Sequence, residues 1–290
     1  MTAGLAIRRY AAARRARIRM SWGERGAAPL RALSAFFKRD LRIALSYRLP
    51  FLLELAAIAF TVLMYFFVAE LVPAGRVPGG YFAFVLIGLT VSSLLSAGVS
   101  ALGANVRNEQ IQGTLEALLA SGLSVPALAL GLAAYPMAAG ACSAVVYLLV
   151  GAIAGVHVWP HANWLLALAA MVLGSVAFVG VGLVGAALVI VFRRAAAATA
   201  WLMAVLALVG GQLFPLDLLP DWLEALSALS PFTQALALTR AAVLEGVGWL
   251  GSLGRLAILG VEVIACVTLG LWSLARGLRH ARRTGGVAQY

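Results

Sequence analysis

The chain has 290 residues, of which 63% are hydrophobic and 11% are charged, and its mean hydropathy is +0.97. A soluble domain is about 25% charged and could not bury so much apolar surface, so a soluble enzyme, a disordered chain and a secreted disulfide scaffold are excluded. The class that remains is an integral membrane protein, in which each ~30 Å crossing takes about 20 apolar residues.

The charge is basic and unevenly distributed. The chain carries 22 Lys and Arg residues against 11 Asp and Glu residues, a net charge of +11. Twelve of the basic residues precede position 49, and four more lie within 276–283. In so hydrophobic a chain, basic ends predict contact with anionic lipid on the cytoplasmic side and not binding of nucleic acid.

The N-terminal part divides into two segments. Residues 1–28 form a basic extension, and residues 29–48 predict an amphipathic elbow helix that lies in the membrane interface. The apolar side chains of that helix recur at helical spacing, at Leu30, Leu33, Phe37, Leu41 and Ala44.

Six apolar runs follow, and they predict an all-α integral membrane protein with six transmembrane helices. The predicted spans are 50–72, 81–105, 126–155, 164–192, 195–214 and 253–275. They make up a transmembrane domain over 49–275, and residues 276–290 form a basic tail. With the N-terminus inside, 19 basic residues lie on the cytoplasmic side against three outside, so both termini are predicted to be cytoplasmic.

Two connections differ from ordinary loops. Residues 107–119 alternate apolar and polar side chains at helical spacing, which predicts a short cytoplasmic helix between the second and third spans. Residues 216–251 are too polar to span a membrane and too apolar for a solvated loop. Pro220 opens one short helix there and Ser230 with Pro231 opens a second, so we predict a helical hairpin that re-enters the outer leaflet or lies on its surface before the last span.

Together these connections resemble those in the membrane subunit of ABC-2 type exporters, over about residues 29–280. In that family a Glu-x-x-x-Gly-Thr-Leu-Glu stretch faces the ATPase, and a Phe-Pro … Leu-Pro … Pro-x-Thr pattern lies in the hairpin before the last span. The matching residues of the coupling stretch are Glu109, Gly113, Thr114 and Glu116, with Arg107, Gln110 and Leu115 in the same connection. The matching residues of the hairpin are Phe214, Pro215, Pro220, Pro231 and Thr233, with Trp222 and Arg240 nearby.

The resemblance implies a permease subunit of an ATP-driven exporter in the cytoplasmic (inner) membrane, in contact with membrane lipid. It implies two copies of this chain, or this chain and a homologue, together with a pair of ABC ATPase subunits. The chain carries a single lysine, Lys38, which belongs to no P-loop motif, so ATP and Mg are expected in the partner and no cofactor or metal in this chain. The expected cargo is a drug, an antibiotic, a lipid or a lipid-linked glycan. The alternatives are an ATP-independent channel or carrier and a non-transporting membrane scaffold.

Ionisable and hydroxyl residues inside the spans are candidates for the substrate pathway. Glu262 lies in the sixth span, two turns after Arg255, and either lines a polar cavity or contacts that arginine. Glu54 lies one turn inside the first span, where the N-terminus of the helix favours an anion. The alternative to a pathway role is a carboxylate that extends to the membrane interface. Three serines at helical spacing in the second span favour close helix packing, with a mildly polar conduit as the alternative; they are Ser93, Ser96 and Ser100. We predict no catalytic residue. Glu109 and Glu116 either pair with basic residues of the ATPase or form a solvated face.

Overall fold

The structure is a computed structural model that describes residues 22–46, 48–73, 77–114, 124–156, 162–192, 201, 204–206 and 208–284. Within those ranges the secondary structure is helical. The elements are α1 (Trp22–Ser46), α2 (Arg48–Glu70), α3 (Tyr81–Ile111), α4 (Val125–Ile153), α5 (Trp164–Phe192), a 3-10 turn (Leu216–Leu218), α6 (Asp221–Ser227), α7 (Pro231–Leu244) and α8 (Trp249–Thr284).

Among the described residues, five helices are long and apolar enough to cross a membrane: α2, α3, α4, α5 and α8. They coincide with the predicted first, second, third, fourth and sixth spans. Residues 195–200, 202, 203 and 207 of the predicted fifth span, 195–214, lie outside the described residues. Its described part is helical at 201, 204–206 and 208–209, and the chain then turns at Gly210 and Gly211.

Several helices are longer than the apolar runs that predicted them. The elbow helix α1 begins at Trp22 and not at residue 29, because the preceding stretch contains Glu, Arg and Ala, which favour helix. Helix α3 continues past residue 105 to Ile111, and α8 extends beyond 253–275 at both ends. A helix does not have to stop where its side chains become polar, since the backbone hydrogen bonds continue into the aqueous phase.

Helices α3 and α5 form the centre of the bundle. Helix α5 packs against α3, α7 and α8, and α3 packs against α4 as well. The contacts between α5 and α8 include a close approach of the two backbones: a Cβ atom on Gly270 would lie 2.3 Å from the carbonyl oxygen of Gly180. By contrast α2 lies at the edge, against α4 and α3, and exposes most of its apolar side chains.

The predicted outer hairpin contains the two short helices expected of it, α6 and α7. Proline at the first turn opens α7, as predicted, although the Ser230 side chain makes no capping hydrogen bond. Helix α6 is exposed, whereas α7 is buried between α3, α5 and α8. Phe232 on α7 is fully buried and packs against Phe178 of α5, with ring centroids 6.0 Å apart. Between re-entry and a surface position, the burial of α7 favours re-entry into the bundle.

Candidate functional site

Helix α1, the predicted elbow helix, is joined to the C-terminal end of α3 by an ion pair. Arg39 Nη1 donates to Glu109 Oε1 over 2.6 Å, and Thr114 Oγ1 donates to the other carboxylate oxygen, Oε2. Glu109 is buried, with 4% of its surface exposed. The predicted pairing of Glu109 with an ATPase is untested; within this chain its carboxylate contacts Arg39 and Thr114.

Arg39 is held in place by its own helix. Its guanidinium lies 5.2 Å from the centroid of the Phe36 ring and donates to Asp40 over 2.8 Å. Burial lowers the pKa of Arg39, but the hydrogen bonds that its guanidinium donates to Asp40 and Glu109 raise it, and the net result is a pKa above the usual value. Phe36 fills the space above Gly131 of α4, where a Cβ atom would lie 2.6 Å from its ring. The charged contact to α3 and the apolar contact to α4 therefore lie side by side on α1.

The coupling stretch turns sharply after α3. The helix ends at Ile111, and Gly113 follows with φ +68°, a conformation that L side chains rarely adopt. No described atom lies within 4 Å of a Cβ atom built on Gly113, so within the described residues it is the backbone conformation that favours glycine here. Leu115, Glu116 and the rest of 115–119 lie outside the described residues. Arg107 and Gln110 belong to α3, so this part of the predicted helix is continuous with the span.

In the predicted outer hairpin, Arg240 of α7 is largely buried and donates hydrogen bonds to backbone carbonyls. Its guanidinium donates to the oxygens of Gly211 at 2.7 Å, Gln212 at 2.8 Å and Phe84 at 3.1 Å. Its central carbon lies 3.4 Å from the centroid of the Phe84 ring. No carboxylate pairs with it in the part of the chain that the structure describes. Burial lowers the pKa of Arg240 to about 9, so the guanidinium remains charged at neutral pH and binds α7 both to α3 and to the turn at Gly211.

The other predicted hairpin residues have structural positions. Pro215 precedes the 3-10 turn and Pro220 precedes α6, both with extended backbone, and Pro231 opens α7. Thr233 is buried and Phe214 half-buried, whereas Trp222 is 69% exposed. The prolines thus start helical segments, as their missing N–H and fixed φ permit.

The two predicted pathway carboxylates lie in different environments. Glu54 of α2 accepts a hydrogen bond from Ser143 Oγ of α4 over 2.8 Å. Glu262 of α8 is half-buried, and its Oε2 atom is buried without a hydrogen-bond partner among the described atoms. The alternative was a contact with Arg255, but Glu262 and Arg255 do not form an ion pair within 4.0 Å. The pathway prediction for Glu262 itself stays a prediction.

Two of the predicted serines of the second span, Ser93 and Ser96, hydrogen-bond to backbone carbonyls of their own helix. Ser93 Oγ donates to the carbonyl oxygen of Thr90 over 2.9 Å, and Ser96 Oγ to that of Ser93 over 3.3 Å. A Cβ atom on Gly140 of α4 would lie 3.2 Å from the Ser93 carbonyl oxygen, so α3 and α4 approach closely here. These contacts favour the packing interpretation. Ser100 belongs to α3.

Arg39 and Ser143, which hydrogen-bond to the carboxylates of Glu109 and Glu54, were not predicted from the sequence. Arg39 looked like one of many N-terminal basic residues, and Ser143 like one small residue among many in the third span. Arg240 was assigned to the hairpin without its carbonyl partners. For Arg39, the available signal was its position on an amphipathic helix, about one turn after the apolar residue Phe36.

Comparison with known proteins gives a family. The model of the family described as ABC-2 type transporter matches residues 31–244, more than half of the chain. The chain is also similar to Nodulation protein J of Sinorhizobium fredii, with 28% identity over 176 residues. The aligned part covers 60% of this chain and 66% of that protein, so the chain spans just under two thirds of the relative's length.

Proposed function

The chain belongs to the ABC-2 type transporter family, and we propose that it is the transmembrane permease subunit of an ATP-driven exporter. It is a multi-pass membrane protein and a transport component, without an ATPase motif of its own. In the proposal, a separate pair of ABC ATPase subunits binds ATP and Mg, and a second copy of this chain or a homologue completes the permease. The cargo is a hydrophobic or amphiphilic molecule that crosses the cytoplasmic membrane.

The observation that carries the proposal is the Arg39–Glu109 pair. Helix α3 has 31 residues, so it is about 46 Å long and exceeds a ~30 Å hydrocarbon core. Its polar end therefore projects beyond the core as a continuation of the span. A force applied near Glu109 acts directly on α3 and, through Arg39, on the elbow helix. Nucleotide-driven closure of the ATPases would in this way become a tilt of the first three spans.

The segment roles follow from the same proposal. Residues 1–28 are a basic extension, 29–48 the elbow, 49–275 the six-span domain and 276–290 a cytoplasmic tail. Within the domain, 107–119 faces the ATPase and 216–251 forms the re-entrant outer hairpin. Both termini are proposed to be cytoplasmic, as the distribution of basic residues favours.

The test is purification of the tagged full-length chain from its native membrane, with identification of bound polypeptides by mass spectrometry. We expect a P-loop ATPase in equal amount to this chain, and ATP hydrolysis that depends on both subunits after reconstitution. Purification without an ATPase, together with substrate flux that needs no ATP, would instead support a channel or carrier. Absence of both ATPase and flux would support a scaffold.

A further inference from the structure

A groove of about 720 Å³ lies between α1, α2 and α4 and contains the Glu54–Ser143 pair. Its volume is in the range that holds a drug-sized molecule. All three helices contribute apolar walls, which include Phe37, Leu41, Leu55, Ile58, Ala139 and Val146. Glu54 is the acidic residue of this lining, so the groove combines a long apolar surface with one carboxylate.

The Glu54 carboxylate is incompletely satisfied within the chain. Ser143 Oγ lies 2.8 Å from Oε1 and 3.1 Å from the carbonyl oxygen of Ala139, and its single proton serves one of them at a time. No lysine or arginine whose side chain is described lies within 4.0 Å of Glu54. Glu54 is exposed on α2, one turn inside the predicted first span, and a carboxylate that faces lipid is costly unless a cation or several donors face it.

The rest of the groove suits a cation with an apolar body. Tyr135 lines the elbow end of the groove, and its ring packs against Phe37 with centroids 6.3 Å apart. Tyr135 and Ser143 are eight residues apart on α4, so the aromatic pair and the carboxylate are separated by about 12 Å along the helix axis. A molecule lying in the groove therefore meets aromatic faces, aliphatic walls and one negative charge.

We propose that this groove binds a single-chain cationic amphiphile, with its protonated amine at Glu54 and its hydrocarbon part along α2 and α4. An anionic amphiphile would bring a like charge to Glu54, and a neutral one would leave the carboxylate without a counter-charge. The proposal names a substrate class for the permease, and it rests on the proposed function only for the claim that the bound amphiphile is exported.

The two cysteines of the chain allow a direct test. Cys142 lines the groove and is exposed, whereas Cys266 is half-buried on α8 and provides an internal control. The full chain is placed in phosphatidylcholine nanodiscs without ATPase or ATP, and alkylation of each cysteine by N-ethylmaleimide is followed by mass spectrometry. Dodecylammonium, dodecyl sulfate and dodecyl maltoside are compared at equal membrane-bound concentration.

We expect dodecylammonium to slow alkylation of Cys142 about threefold once it exceeds twice its Kd, and to leave Cys266 unchanged. The other two amphiphiles should protect neither cysteine. Glu54→Gln should raise the Kd about tenfold, between the effect of an exposed pair and that of a buried one, so that the same concentration slows alkylation by only about 1.2-fold. Glu70→Gln, which removes a charge from the exposed end of the same helix, should retain it.

A second readout does not depend on cysteine reactivity. Dodecylammonium should raise the Tm of the wild-type chain and of Glu70→Gln, but not that of Glu54→Gln or of Ala138→Trp, which fills the groove. Equal effects of all three amphiphiles, or equal effects in the Glu54 and Glu70 variants, would overturn the proposal. If phosphatidylethanolamine protects Cys142 and dodecylammonium does not, the groove binds a membrane lipid and the proposed single-chain amphiphile is overturned. Because no ATPase is present in these experiments, failure of the binding proposal leaves the permease assignment intact. Conversely, a chain that binds dodecylammonium but supports no ATP-driven flux would count against the permease assignment and not against the binding site.

Discussion

Arg39 and Glu109 are 70 residues apart in the chain, yet Nη1 of the arginine lies 2.6 Å from Oε1 of the glutamate. The pair connects α1, the predicted elbow helix, to the C-terminal end of α3. Glu109 is buried while the Arg39 side chain is 42% exposed. Among the described residues, removing the arginine leaves the buried carboxylate with the Thr114 hydroxyl as its one side-chain partner, which is more costly than losing a surface ion pair.

We predict that Arg39→Ala reduces permease-dependent ATP hydrolysis in the reconstituted complex and destabilises the chain by about 1–3 kcal/mol. The measurement is ATPase activity together with thermal unfolding in detergent. Asp40→Asn is the matched control, because it removes the other acidic partner of Arg39 without separating α1 from α3. The exchange Arg39→Glu with Glu109→Arg should recover part of the lost activity. Equal activity in Arg39→Ala and the wild type would show that the pair does not contribute to coupling.

The turn at Gly113 gives a second prediction. At φ +68° a β-branched residue is strained by about 1–2 kcal/mol, while asparagine tolerates this conformation. Gly113→Val should reduce ATPase coupling, and Gly113→Asn should retain most of it. If both variants lose coupling equally, the position requires the absence of a side chain, for contact with a partner, and not the backbone conformation.

Arg240 is expected to be important for the stability of the hairpin. Arg240→Met removes the donors to three carbonyl oxygens and the contact with the Phe84 ring, and we predict a decrease in Tm of about 5–10 °C. Arg240→Lys should lower the Tm by an intermediate amount, since a single ammonium group cannot reach both the Phe84 carbonyl of α3 and the carbonyls of the turn at Gly211. Arg255→Gln, at an exposed position on α8, is the control for loss of a positive charge. A Tm unchanged in Arg240→Met would mean that α7 is held by its apolar contacts alone.

The packing of α8 on α5 depends on two glycines that meet. A methyl group on Gly270 would lie 2.3 Å from the carbonyl oxygen of Gly180, so Gly270→Ala should push the helices apart and destabilise the chain by about 1–3 kcal/mol. Gly260→Ala, on the same helix, has no described atom within 4 Å of the new methyl and should be neutral or slightly stabilising. A larger decrease in Tm for Gly270→Ala than for Gly260→Ala would confirm the close contact between α5 and α8, and equal changes would disprove it.

Much of the architecture could be predicted from the sequence because hydrophobic span length is a local property. A bilayer requires about 20 apolar residues for each crossing, so α2, α4 and α5 lie within a few residues of their apolar runs. The prolines before α6 and α7 located the hairpin helices in the same way, because proline restricts its own backbone. Helix ends in the aqueous phase were less predictable: α1, α3 and α8 continue through polar residues that periodicity assigned to other segments.

The sequence by itself determined that this is a helical membrane protein, and its motifs pointed to the ABC-2 type family. Only the tertiary structure decided which polar residues act together. The partners of Glu109, Glu54 and Arg240 lie on other helices, and a hydrogen bond depends on the crossing of two helices, which no local pattern encodes. In so hydrophobic a chain, these three polar groups find partners where the packing brings their segments together, and their pairings define the contact between α1 and α3, the groove and the hairpin.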